Sequence, residues 1–158
     1  MYQHEGEDVF VIDAHLHHWD ASEENITHEG GEQFIQCFYD YHTTFTPEER
    51  QWDMETYRKY GTDKLLTDLF RDGYVDMGIF QSTYLSEFYA NGFNTIEDNY
   101  ELVEAYPDRF IANGRFDPRE GEAGLRELER QKAEYDIDGV KLYTAEWKGD
   151  SKGWRLDT

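Results

Sequence analysis

The chemistry in this sequence is concentrated in VFVIDAHLHHWD, residues 9–20, where an apolar run ends in three histidines around one leucine. The β-branched segment VFVID, residues 9–13, reads as a buried strand. Side chains alternate along a strand, so Val11, Asp13, His15 and His17 share one face. Ile12, Ala14, Leu16 and His18 share the other. Imidazoles at i and i+2 can hold one divalent cation, with each nitrogen about 2.0–2.2 Å away, and neutral imidazole is the commonest metal ligand. Asp13, lower on the same face, could orient a ligand or pair with a basic group. An H-x-H pair alone is not specific. This one follows an apolar strand, comes early in the chain and precedes a long connection.

The elements that must position those histidines alternate in type. After the first strand comes a long aromatic and charged segment, residues 20–60, which includes FIQCFYDYHTTF. Within it Thr46 can cap a short helix that starts at Pro47. TDKLLTDLFRDG, residues 62–73, is a helix capped by Thr62 or Asp63, with Leu65, Leu66, Leu69 and Phe70 on its apolar face and Gly73 at its end. Strands are expected at 74–80, 109–116 and 138–144. Helices are expected near 96–106 and from about 119 to 135, the latter burying Leu125, Leu128 and Ala133. The order β-α-β-α-β-α-β implies a parallel sheet with right-handed crossovers. We expect the α/β class: the N-terminal half of a (β/α)8 TIM-type barrel, four parallel strands with three intervening helices. A whole barrel takes about 250 residues, so residues 1–158 are expected to be one partial domain. No helix follows the fourth strand to cover Val140 and Leu142, and both outer strands present open edges. The assembled protein is therefore expected to contain a second copy or a companion half-barrel chain.

Composition narrows the function classes. Asp and Glu number 35 against 15 Lys and Arg, a net charge of −20. Such a chain repels nucleic acid and anionic lipid, so the expected partner is a small-molecule substrate. The acid is spread along the whole length, as in proteins of salt-loving organisms. Screening of this self-repulsion is expected to raise the melting temperature between low and molar salt; a thermal melt insensitive to salt would remove the halophilic reading. There is no apolar window of the ~18 residues a membrane span needs and no signal-like opening, so a cytoplasmic location is expected. Cys37 stands alone and is expected to be a partly buried free thiol. No GxSxG, Walker loop or GxGxxG follows a strand.

Three stretches together carry a family resemblance. IDAHLHHWD resembles the first-strand motif of the amidohydrolase superfamily, and in particular the branch that includes aminocarboxymuconate-semialdehyde decarboxylase. FDPREGEAGLRELE is similar to that branch's third strand and following helix, and GVKLYTAEW to its fourth strand. The resemblance implies a distorted (β/α)8 barrel in which His15 and His17 are the first-strand metal ligands. The remaining ligands would be histidines of the fifth and sixth strands and an aspartate of the eighth. Lys141 alternates with Val140 and Leu142, so it faces the barrel interior. It could bridge two ions as a carbamate, or pair with Asp13 or Asp117 as a plain cation. Glu146 is a second candidate oxygen donor. His18, Trp19, Tyr84 and Tyr143 are candidates to line a substrate pocket, with Tyr39 and Phe88 as further rings. His28 and His42 read as structural. The implied cofactor is a divalent metal (Zn, Mn or Fe) and the implied reaction is hydrolysis of a C–N or C–O bond. Non-oxidative decarboxylation and two-metal amine oxygenation are the alternatives within the fold, and a non-catalytic half-barrel subunit is the alternative outside enzymology.

Overall fold

A computed structural model of the chain describes residues 1–142. Residues 1–8, expected to be irregular, instead form most of a hairpin: β1 (Tyr2–His4) pairs antiparallel with β2 (Glu7–Val9). Its turn has Glu5 at φ 52° and Gly6 at φ 88°, the pair of positive angles that matches a tight turn to strand twist. The apolar run is consequently split. Val9 closes the hairpin, and the sheet strand is β3 (Ile12–Leu16).

The first crossover is far more elaborate than one helix. After a short β4 (Trp19–Asp20), the long aromatic and charged segment, in which only a short helix at Pro47 was expected, contains α1 (Glu29–Phe45), a helix of 17 residues. Its period is visible in FIQCFYDYHTTF: Ile35 is buried and Tyr39 and His42 follow it on the inward side. His28 caps it, Nδ1 accepting from Gly30 N at 2.9 Å. Thr46 closes the C-terminal end of α1 and starts no helix; Pro47 precedes a single tight turn over Glu48–Arg50. Cys37 is exposed on α1, contrary to the partly buried position expected. Next come α2 (Met54–Arg58), capped by Asp53, and β5 (Lys59–Tyr60), which pairs antiparallel with β4. The helix α3 (Thr62–Leu66) has Gly61 at its cap position and widens into a π-helical turn over Thr67–Asp72. Leu65 and Leu69 are buried as its pattern requires.

From there the expected order holds: β6 (Met77–Gln81), α4 (Ile96–Ala105), β7 (Phe110–Phe116), α5 (Glu122–Tyr135) and β8 (Val140–Leu142). The four strands β3-β6-β7-β8 form one parallel sheet, each beside its predecessor in the chain. They curl into a half-barrel with helices between the strands. Leu16, Leu65, Phe80, Ile96, Phe110 and Ile137 fill the layer between sheet and helices. A second aromatic cluster, with Ile35, Tyr57, Tyr89 and Phe93, holds α1 and α2 against the ends of the strands.

Helix α5 corrects one expectation. Leu125 and Ala133 are exposed, and the inward residues are Gly124, Leu128 and Gln131. Gln131 takes the place of an apolar residue because it splices the helix to β7. Its Oε1 accepts from Arg115 N at 2.8 Å and its Nε2 donates to Arg115 O at 3.2 Å. A buried amide with both ends paired avoids the desolvation cost of an orphaned one. Val140 and Leu142 are exposed on β8, and Phe10 and Ile12 at the opposite edge. No helix among the described residues is long and apolar enough to cross a membrane.

Candidate metal centre

His15 and His17 converge at the C-terminal end of β3. Their Nε2 atoms are 3.0 Å apart and their rings meet at 62°. Two local features aim them. The β3–β6 ladder shifts register between Asp13 and Leu16, and Asp13 Oδ1 accepts from His15 N at 3.0 Å. Asp13 therefore braces the backbone that carries the first imidazole. Leu16, between the histidines, is buried opposite Phe80 and anchors the strand end.

The separation can be tested against a cation. Nitrogens 3.0 Å apart and each 2.0–2.1 Å from one ion would subtend about 94° at it. A tetrahedral angle needs about 3.4 Å. The pair thus suits octahedral geometry directly, and a 0.4 Å swing of flexible rings gives the tetrahedral one. Without an ion, the same approach is an N–H···N hydrogen bond. Among the described residues no group of three or more His, Cys, Asp or Glu side chains could hold a metal. Among the described residues His15, His17 and Lys141 are the groups that meet at this point.

Lys141 reaches the same place from the far side of the sheet, with Nζ 3.3 Å from His15 Nε2. Burial lowers its pKa, which makes neutral amine, the form that reacts to a carbamate, easier to reach. His17 is more strongly affected. Its pKa is lowered to about 4, by burial first and then by the positive charges of His15 and Lys141. Its Nδ1 is buried without a hydrogen-bond partner. A neutral His17 near pH 7 is the form a metal requires.

The sign of the resulting pH dependence is fixed. The unfolded imidazole takes up its proton near pH 6.5, while the native one stays neutral down to about pH 4. Stability from this group is complete above pH 6.5 and falls, on the order of 2 kcal/mol, as pH drops towards 4. His18 is shifted down by burial and adds in the same direction. His17→Gln is expected to flatten the slope of urea midpoints measured on the metal-free chain at pH 7, 5 and 4. An unchanged slope would contradict the burial of His17.

The remaining predicted residues fall into separate places. His18 turns to the other face of the strand, edge-on to Phe80 at 5.4 Å. It lines a cleft with Asp20, Lys59 and Asp98, away from the metal pair. Trp19 borders that cleft and also a pocket beside His17. Tyr84 donates to Glu97 at 2.5 Å beneath the guanidinium of Arg115 and lines a third cleft, shared with Arg119 and Lys141. Burial and Glu97 raise its pKa, so it is a phenol held by packing. Asp117 is engaged by Arg119. Tyr143 and Glu146 lie outside the described residues. His42 is structural: Nε2 accepts from Trp52 N at 2.9 Å, and Nδ1 lies 3.2 Å from Thr46 Oγ1.

Sequence reasoning missed Phe34 and Phe38 of α1, Tyr57 of α2 and Phe93, which wall the pocket next to His17. The signal was present as the four-residue spacing of Phe34 and Phe38 in the long aromatic segment. It also missed a buried amide chain that ties the loop after β6 to the sheet. Asn94 Nδ2 donates to Asn99 Oδ1 at 2.8 Å, Asn99 Nδ2 to Ser82 Oγ at 3.0 Å, and Ser82 Oγ to Asn113 O at 2.8 Å.

Comparison with known proteins bears on this arrangement. No curated protein matches the chain. A solved structure, an uncharacterized TIM-barrel protein from Bordetella bronchiseptica, aligns with a TM-score of 0.58 at 16% identity, covering 89% of this chain and 46% of that one. The present chain thus spans about half the length of that barrel. A sequence model of the amidohydrolase family matches residues 12–158, from the first residue of β3 onward. The chain belongs to the amidohydrolase family.

Proposed function

We propose that residues 1–158 form the first half of the catalytic barrel of a metal-dependent hydrolase that cleaves a C–N or C–O bond. The observation that carries this reading is the 3.0 Å approach of His15 and His17 on the first sheet strand of an amidohydrolase-family chain. A bound divalent ion (Zn, Mn or Fe) supplies Lewis acidity that polarises a carbonyl and activates water. The chain's own contribution is positional. Asp13 and Leu16 hold the strand end, His15 and His17 present neutral nitrogens, and Lys141 supplies a third group at the same point, as amine or as carbamate. The acid–base residue comes from outside the described residues.

Within the family the resemblance of IDAHLHHWD and GVKLYTAEW favours the aminocarboxymuconate-semialdehyde decarboxylase-like branch. Non-oxidative decarboxylation is therefore the second reading, followed by two-metal amine oxygenation. The open edges at Ile12 and Val140 would pair with strands of a companion chain or of a second copy. Two imidazoles are half of a four-coordinate set, so the 158-residue chain is expected to retain well under one ion after desalting, measured by elemental analysis. Supplying the fifth to eighth strands is expected to produce tight binding that a chelator strips slowly. Stoichiometric, chelator-resistant metal in the isolated chain would overturn the division of ligands.

A further inference from the structure

Resting on that reading, we infer that the substrate carries a neutral, flat, ring-sized apolar group next to its reacting bond, and that α1 supplies the pocket for it. The pocket beside His17 is walled by Trp19, Phe34, Phe38, Tyr57 and Phe93. Its volume is ≈ 100 Å³, in the range of the apolar cavity of about 150 Å³ that takes one benzene molecule. There is room for about one ring.

Apart from His17, the polar side chains of the wall are already committed. Trp19 Nε1 donates to Tyr57 O at 2.8 Å, and the Tyr57 hydroxyl donates to Phe38 O at 3.2 Å. What remains for a guest is ring faces and edges. None of the lining residues is Lys, Arg, Asp or Glu, so a charged group seated against these rings, away from His17, would lose its hydration without gaining an ion-pair partner. The wall rings already prefer edge contacts among themselves: Phe34 meets Phe93 at 5.3 Å and 82°. A guest ring extends the same geometry. Phe38 is 45% exposed and stands at the mouth. Because His17 lines the pocket, a group seated there is delivered to the metal pair. Helix α1 belongs to the elaborated first crossover, so specificity for this group resides largely in that crossover.

The test uses the full metal-free chain, with neutral benzyl alcohol and charged benzoate as probes. The readout is the indole N–H resonance of Trp19, assigned with Trp19→Phe. Benzyl alcohol is expected to shift it saturably, and benzoate to bind about ten-fold more weakly or not at all. Phe38→Ser is expected to weaken benzyl alcohol about ten-fold. Phe45→Ser, on the same helix but 78% exposed and outside the pocket, is expected to leave it unchanged. Phe38 is partly exposed, so folding should survive, and an unchanged thermal melt of each variant confirms it. No saturable shift, equal binding of benzoate, or equal loss in both variants would overturn the inference. The outcome is independent of the metal. A chain that retains metal with its partner half but ignores benzyl alcohol sinks only the pocket; the reverse result sinks only the metal reading.

Discussion

Exchanging His15 and His17 together for asparagine is expected to lower the zinc affinity of the assembled barrel by about 10⁴-fold, roughly 10² for each imidazole. The magnitude follows from dividing the ~10–16 kcal/mol of a structural four-ligand zinc site among its donors, about 3 kcal/mol each. Asparagine keeps the polarity and approximate volume at both positions but cannot present two convergent nitrogens 3.0 Å apart. Competition against a chromophoric chelator measures the change. The single variants should each lose about the square root of the double's effect, because neither ring is replaced by another donor nearby. A double variant that retains affinity within ten-fold of the parent would show that the convergence is only a hydrogen bond between imidazoles. His15 is exposed and its loss leaves no cavity; His17 is partly buried, so a thermal melt of the double variant checks that it is folded.

Replacing Phe80 by alanine is expected to cost about 3–5 kcal/mol of unfolding free energy, a large part of the 5–15 kcal/mol typical of a domain. Phe80 has 0% exposure, stacks on Phe110 at 4.9 Å and receives the edge of His18. Its truncation empties the centre of the layer between sheet and helices, and the neighbouring rings are held by their own strands and cannot collapse into the space. Phe80 is also opposite Leu16 in the β3–β6 ladder, so the same change loosens the strand end that carries His17. Urea denaturation measures the first effect. A loss under about 1 kcal/mol would mean that the core around β6 is not packed as described.

The parts legible in the sequence were those governed by local pattern. Three of the four sheet strands came close to their expected limits because the apolar runs MGIF and RFIANGRF bury alternate residues against the helices. The helix at Ile96–Ala105 was legible from Pro107 beyond its end, and the structure adds Thr95 as its cap. The pairing of His15 with His17 was legible because strand alternation places i and i+2 on one face. Three other features were not. Helix α1 was obscured because its aromatic residues suit strand, helix and loop alike, and only contact with Tyr57, Tyr89 and Phe93 selects the helix. Leu125 seemed a core residue by its spacing, but the sheet meets α5 through Gly124, Leu128 and Gln131. The backbone contact of Asp13, whose carboxylate accepts from His15 N, was not foreseen either.

By itself, then, the order of residues determined the alternation of strand and helix, the family motif and the face on which the two imidazoles lie, since each depends on periods of two or 3.6 residues within one segment. Only the tertiary structure decided how closely those imidazoles approach, that Lys141 arrives 3.3 Å from His15, and that rings from α1, α2 and the loop before α4 close on His17 to make an apolar pocket. Those outcomes depend on contacts between segments far apart in the chain. They are set by the curl of the sheet and the packing of its elaborated first crossover, which no local period encodes.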